Sequence, residues 1–568
     1  MNKNLLLSAI AMLLLTAGCS SEDNNSKETK VDVTKDFKFT LSFSDYNEET
    51  TAEGTRAGSI DVTKKEIIPM GDLFAEASVE LDTTKAVSAE QVAKTRAVSD
   101  GTYTIYAYQG STLKGTLKGT VTSNVFTATS ANQEIGLSPG TYTFVCANEK
   151  VNTSGTTWTV NRQDIETARI GIAENVVITP TPRKQTVAFD MKHVGCKVRV
   201  RITMEGYPSE NIQATLASTT DIPQQATFDP ATRTYSYGNT AAYTQNFAMP
   251  NAVPYYFTSN SSETYFFPGT RGADLKLTLN SGNAYKLPVA GRNATFPSLA
   301  SMAMNGAYVL NLTLKYNYIY LYSDGTIGQY TDAAHATKTP IAMVVSRSKQ
   351  LAVALKDATD NNTHFNWGPV NTQSNTTMSS TYTDHQGDLN GEAYTWAATY
   401  SADGIVKAND QTNYPMFYAA AHYNPGVTIT GANIGKWFLP TMGEWNLYYK
   451  NIALGNTIPG STNTIPESTN PRSWLRKYDP EGYGFRRANG NGLAWGEMDS
   501  YEGHAYYVSA SEASTTEYYV WGHFGQHTTW PDSHHFGAIK IKKDYTLNNE
   551  YSYYPHLRKY EVRPFIKY

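Results

Sequence analysis

The chain has 568 residues, enough for three or four domains. It is 40% hydrophobic but only 17% charged, and 47 basic against 51 acidic side chains leave a formal net charge of −4. No long basic run offers a surface for phosphates, which argues against a nucleic-acid partner. The aromatic content argues against global disorder, and 40 tyrosines among abundant Thr, Ser, Asn and Gly point to exposed β-structure outside the cell.

Lys3 and the eleven-residue apolar run Leu5–Leu15 read as a targeting segment too short to span a bilayer. The run ends in Leu15-Thr16-Ala17-Gly18-Cys19, which looks like a bacterial lipoprotein signal with Cys19 as the acylated first residue of the mature chain. Thr16 departs from the aliphatic residue usual there. Two or more acyl chains hold a soluble domain on a membrane far better than one. Ser20-Ser21-Glu22-Asp23-Asn24 resembles a surface-export signal and reads equally as a solvated linker. Residues 1–18 are thus expected to be a signal peptide and 19–36 a flexible linker. The other two cysteines, Cys146 and Cys196, lie in strand-like stretches. They read as buried, inert side chains or as a disulfide; spacing alone does not bring two sulfurs together.

Phe37, Phe39, Leu41 and Phe43 alternate with Lys38, Thr40 and Ser42, the period of a half-buried strand. Further strands are predicted at Thr102–Tyr108, Thr141–Cys146, from Ala188 onward, at Val194–Met204 and at Tyr308–Lys315, with turn signals such as Ser138-Pro139-Gly140 between them. This spacing argues for β-sandwiches, and Thr179-Pro180-Thr181-Pro182 is a candidate boundary. From about Tyr316 the texture changes. Helices are predicted at Gln350–Ala358 and after Thr441-Met442-Gly443-Glu444, a capping box. Helices, short strands and long loops together read as α+β.

Residues 37 to about 315 resemble the fimbrillin family, two-domain transthyretin-like pilins of type V pili. The residues that carry this are Cys19, the Phe37–Phe43 strand, Thr55-Arg56-Ala57 or Thr95-Arg96-Ala97, Gly101-Thr102-Tyr103-Thr104 and Gly140-Thr141-Tyr142-Thr143. The resemblance implies that a trypsin-like, Arg-specific protease cuts after Arg56 or Arg96 and removes the first strand. A strand of another pilin subunit then fills the vacated groove. Both arginines read equally as ordinary surface residues.

Residues 316–568 resemble the C-type-lectin-like modules of bacterial surface lipoproteins. Here the carrying segments are Ser323-Asp324-Gly325-Thr326, Ala352–Asp357, Trp437–Trp445, Ser509-Ala510-Ser511 and Val562-Arg563-Pro564. The same fold includes formylglycine-generating enzymes, which need cysteines, and this region has none. Trp437, Leu439, Trp445 and Leu447 read as core, Glu444 as a helix cap, and Arg563 as a clamp on the last strand.

The sharpest local anomaly runs from Trp521 to Phe536, where His523, His527, His534 and His535 accompany Trp521 and Trp530. Aromatic faces beside polar groups suit a sugar, imidazoles suit Zn²⁺, and the bland alternative is a packed strand pair. Trp521, His523, His527, Trp530, His534 and His535 are taken as the candidate ligand-binding set, with no metal assigned. Asp384–Gly391 hints at a calcium loop but fails the EF-hand register, so a polar turn is expected. No catalytic constellation and no cofactor motif stands out.

The expected fold is mainly β: two tandem transthyretin-like β-sandwiches, 37–183 and 184–315, then an α+β C-type-lectin-like domain, 316–568. The expected function is a pilus subunit at the fibre tip that mediates adhesion to a glycan or host surface. It would be exported as an outer-membrane lipoprotein, touch the membrane only through its lipid anchor before processing, and end in the fimbrium. The alternative is a glycan-binding surface lipoprotein that stays anchored. An enzyme on the lectin-like fold is the third reading and lacks a nominated nucleophile.

Overall fold

The computed structural model describes residues 30–47, 64–82, 100–129, 135–181, 184–251, 257–358, 366–455, 480–493, 504–525, 534–543 and 558–568. The alternation at the amino end does build a strand, β1 (Phe37–Phe43), in which Phe39 and Leu41 are buried while Lys38 and Ser42 are exposed. Along the chain come β2 (Glu66–Met70), β3 (Leu73–Leu81), β4 (Gly101–Gln109), β5 (Thr112–Thr122), β6 (Val125–Ala128), β7 (Gly140–Asn148), β8 (Arg169–Ile178), β9 (Gln185–His193), β10 (Cys196–Met204) and β11 (Ala307–Tyr316). Most of the strands expected from periodicity lie inside these.

The first unit is a closed barrel with the strand order β8-β9-β1-β6-β5-β4-β7. Each strand in this order has a hydrogen-bonded neighbour on both sides. Its core is aromatic: Phe39 lies 5.9 Å from Phe126, 5.7 Å from Phe144 and 6.2 Å from Phe189, measured between ring centroids. Residues 30–36, expected to be linker, pack on this barrel. Val31 pairs with Leu137, the Val33 N–H donates to the Ile135 carbonyl at 2.9 Å, and both valines are buried.

The second unit is a sandwich. One sheet contains β10, β11, β3 and β2 in that order, and the facing sheet is built on Ser209–Ser218 and Leu275–Ala284. Val200, Ile202, Leu310, Leu312, Leu216 and Leu277 fill the space between them. β11 runs parallel to β10 and antiparallel to β3, from Tyr308 opposite Leu81 to Tyr316 opposite Leu73. Outward-facing cations hold β3 in place: Arg199 pairs with Asp82 at 2.7 Å, Lys315 with Glu76 at 2.5 Å, and Arg201 with Glu80.

Two expected boundaries therefore move. β9 follows the Pro-rich stretch at 179–182 but pairs with β8 and β1, so the chain leaves the barrel at Val194-Gly195. β2 and β3 precede most of the barrel strands yet belong to the second unit. The units are interleaved because a strand joins the sheet that can bury its apolar face, wherever it lies in sequence. A small sheet (Trp158–Asn161, Gln225–Asp229, Thr234–Gly238) bridges them around Trp158 and Phe228. Cys146 in β7 and Cys196 in β10 are both buried and free.

Among the described residues the C-terminal module has two sheets. One contains β12 (Ile319–Tyr322), β13 (Pro340–Ser346), β14 (Leu351–Ala354) and, at the carboxy end, the strand Phe565–Lys567. A helix was expected at Gln350–Ala358. That apolar run is instead a strand buried on both faces, a pattern that periodicity does not separate from a buried helix. The helix α1 (Met442–Asn451) opens on the predicted capping box. The Thr441 hydroxyl accepts the Glu444 N–H at 3.3 Å, and the Glu444 carboxylate accepts the Thr441 N–H at 2.8 Å. Trp437, Leu439 and Trp445 are core, and Leu447 is half-buried against it. The second sheet contains β15 (His504–Glu512), β16 (Glu517–Gly525), β17 (His534–Lys542) and β18 (Arg558–Glu561), in the order β17-β16-β15-β18. We label the closing strand Phe565–Lys567 β19; it pairs with β14. Arg563 is fully buried just before it, with its guanidinium on both oxygens of Asp357 at 2.5 and 3.1 Å. Asp384–Gly391 includes a helical turn, and the Asp388 carbonyl accepts from the Thr441 hydroxyl at 2.5 Å, so this stretch seats the start of α1.

Candidate functional site: the seat of the first strand

β1 has two unequal neighbours. It runs parallel to β9 through seven register positions, from Phe37 opposite Gln185 to Phe43 opposite Met191. On its other side it meets β6 at one pair, Thr40 with Val125, helped by the Leu41 N–H donating to the Asn124 carbonyl at 3.1 Å. β1 is thus the stave that closes the barrel. Without it, β9 and β6 would present unpaired backbone groups beside a slot floored by Phe126, Phe144 and Phe189.

The residues after β1 leave the barrel and cross to the second unit. The Ser44 N–H donates to the Met191 carbonyl at 3.2 Å. The Phe43 ring meets His193 edge-on at 5.0 Å, with the Arg169 guanidinium 3.9 Å above it. Tyr46 stacks on His193, 3.9 Å between centroids and 13° between planes, and the Lys197 ammonium lies 5.2 Å from the Tyr46 ring. Asn47 then joins the start of β11. Its side-chain oxygen accepts the Ala307 N–H at 2.9 Å, and its side-chain nitrogen donates to the Ala307 carbonyl at 2.9 Å and to the Asp82 carbonyl at 3.3 Å. The Asn47 N–H donates to the Asn305 carbonyl at 3.0 Å.

His193 is 4% exposed, and burial, reinforced by the Arg169 charge, lowers its pKa to about 3, so the ring is neutral at physiological pH. Arg169 and Arg162 are likewise pushed down by burial. Nothing in the local sequence marked Arg169, His193, Lys197 or Asn305 as neighbours; the one available signal was Tyr46-Asn47, separated by two residues from the end of an alternating strand.

The sequence-predicted sites fall elsewhere. Cys19, Arg56, Arg96, His527 and Trp530 lie outside the described residues. His523 is on β16, and His534 and His535 are on β17. His523 stands opposite Phe536, His535 opposite Phe524 and His534 opposite Gly525, so the register pairs no two of these histidines. Trp521 is a correction: it is 1% exposed and packs 5.0 Å from Trp445 and 5.4 Å from Tyr448. It cannot offer a face to a sugar, because the strand that carries it forms the floor under α1. Among the described residues, no group of three or more His, Cys, Asp or Glu is placed to hold a metal ion.

No family model and no curated protein matches the chain. Among solved structures it is similar to a fimbrial protein from Bacteroides ovatus, at 10% identity over 95% of this chain and 100% of that one, with a TM-score of 0.25. It is also similar to a candidate cell adhesion protein from Bacteroides uniformis (15% identity, 38% of this chain and 86% of that one, TM-score 0.29). A fimbrial assembly protein from Parabacteroides distasonis covers 41% of this chain and 94% of its own, at 10% identity and a TM-score of 0.25. The chain is mainly β, and its solved neighbours include proteins of fimbriae and of cell adhesion.

Proposed function

We propose that this chain is a subunit of a surface pilus, assembled by removal of its first strand and insertion of a neighbour's strand. The observation that carries the reading is the position of β1: it is the first long strand among the described residues, it closes the barrel, and one of its two edges is held by a single register pair. Its departure converts a closed barrel into an acceptor for a strand in trans.

The interleaving of the units favours Arg56 over Arg96 as the processing site. A cut after Arg56 frees β1 and the residues up to Asn47 while β2 and β3 stay. A cut after Arg96 would also free β2 and β3, which supply Met70, Leu73, Ala75, Ala77 and Val79 to the core of the second unit. In this reading Cys19 anchors the precursor to the membrane, and the anchor is lost with the first strand. The C-terminal module faces outward at the tip. Support for that position is that β19 is engaged within its own module, paired with β14 and bridged to Phe438.

Amino-terminal sequencing of the chain recovered from sheared fibres tests the proposal, together with incubation of trimmed protein with a stalk pilin. The expected results are a chain beginning at Ala57 and a stable complex. An assembled chain that still carries acylated Cys19 would overturn the proposal and favour a permanently anchored lipoprotein.

A further inference from the structure

We propose that the seat of the first strand has a second, chemically specific part: a notch between the barrel and the second unit that reads an aromatic, a second aromatic three residues on, and a carboxamide immediately after it. In the uncut chain the notch holds Phe43, Tyr46 and Asn47. The inference rests on the strand-exchange reading, and it states what the partner subunit's incoming strand must carry at its trailing end.

The walls of the notch dictate the two rings. His193 offers a ring face and a ring edge in one place, stacked by Tyr46 and met edge-on by Phe43. Arg169 stands over one ring and Lys197 near the other, and a cation gains from an aromatic face what an aliphatic side chain cannot supply. The carboxamide follows from Ala307. One side chain accepts its N–H and donates to its carbonyl beside the Asp82 N–H at 3.0 Å, while the same nitrogen reaches the Asp82 carbonyl, and that set needs an acceptor and a donor on one carbon. Asparagine and glutamine have that pair; an ionised aspartate accepts only, and lysine donates only. Asn47 also sits at φ +65°, a left-handed conformation that asparagine tolerates better than most residues. Asn305 ties the two halves together, with its side-chain nitrogen donating to the Asp45 carbonyl at 3.1 Å and its side-chain oxygen accepting the His193 N–H at 3.2 Å. The occupant is therefore held by both units at once.

The test uses the full chain, cut with an Arg-specific protease and freed of its amino-terminal segment. The probes are fluorescent synthetic peptides of residues 36–47, read by anisotropy. The expected result is that Tyr46→Ala and Asn47→Ala each weaken binding about tenfold, the scale of one cation–aromatic contact or one buried hydrogen-bonded amide. A peptide ending at Phe43 should bind more weakly still. If the native peptide binds and Phe39→Ala weakens it, but the Tyr46, Asn47 and truncated peptides bind like the native one, the notch falls and strand exchange stands. If no peptide binds a folded, trimmed barrel, strand exchange falls and takes the notch with it. Should the trimmed chain not stay folded, hydrogen exchange on the uncut chain decides: Asn47→Ala should speed exchange of β1 amides about tenfold and leave β4 and β5 unchanged. Unaltered β1 exchange would overturn the proposal.

Discussion

Replacing Phe39 with alanine should loosen the first strand and leave the rest of the molecule intact. Phe39 is 3% exposed and meets three other phenylalanine rings at 5.7 to 6.2 Å. A buried Phe→Ala change costs about 3–5 kcal/mol, and the upper half of that range is expected because the remaining rings sit on strands locked around the barrel and cannot close the gap. The cost falls on the docking of β1, since Phe39 leaves with it. At about 1.4 kcal/mol per tenfold, that upper half raises the undocked fraction by roughly three to three and a half powers of ten. Hydrogen–deuterium exchange on the uncut chain should show faster exchange in β1 and in the β9 amides that face it, while β10 and β11 hold. After cleavage at Arg56 the mutated segment should be lost correspondingly faster, and the trimmed products of wild type and Phe39→Ala, now identical in sequence, should melt together. A change of less than about 1 kcal/mol in β1 protection, below the range for a core phenylalanine, would refute the claim that this ring anchors the strand.

Three further outcomes follow from buried polar groups. His193 has its pKa lowered to about 3, below its ordinary 6.5, so the stability it contributes is present above pH 6.5 and drains away as pH falls toward 3. Release of the cut segment should therefore quicken between pH 7 and 5, at up to about 1.4 kcal/mol per pH unit, and His193→Phe, which keeps a ring under Tyr46, should flatten that dependence in a release assay. Glu444 has its carboxyl raised by burial from 4.5 to about 8, so its contribution is present below pH 4.5 and is lost as pH rises through 8; Glu444→Gln should remove that decline from melts recorded between pH 5 and 9. Lys543 and Glu512 form an ion pair at 2.5 Å with both side chains fully buried, and Glu512 also accepts the Ser374 and Asn375 N–H groups at 2.8 and 2.6 Å. Lys543→Met should destabilise the C-terminal module by about 3–5 kcal/mol by stranding the carboxylate, and Glu512→Gln added to it should restore part of the loss in a urea melt followed by tryptophan emission.

What the sequence determined by itself was local. The alternation at Phe37–Phe43, Val194–Met204 and Tyr308–Lys315 specified strands because side chains on a strand change face at every residue, and Thr441 with Glu444 specified a helix start because the two orphan amides lie within reach of those two side chains. Where the pattern carried no period, the expectation failed: Leu351–Ala354 is apolar on both faces, so it read as helix and is a strand. The tertiary structure alone decided which strands share a sheet. Periodicity says that β3 has an apolar face and not that β11, more than two hundred residues away, will cover it, nor that β9 stays with the barrel beyond a Pro-rich stretch. It also buried Trp521, which composition had offered as a ligand platform, and gathered Arg169, His193, Asn305 and Ala307 around Phe43, Tyr46 and Asn47. Each of those contacts joins residues more than a hundred positions apart, and only the closing of the barrel against the second unit brings them within reach.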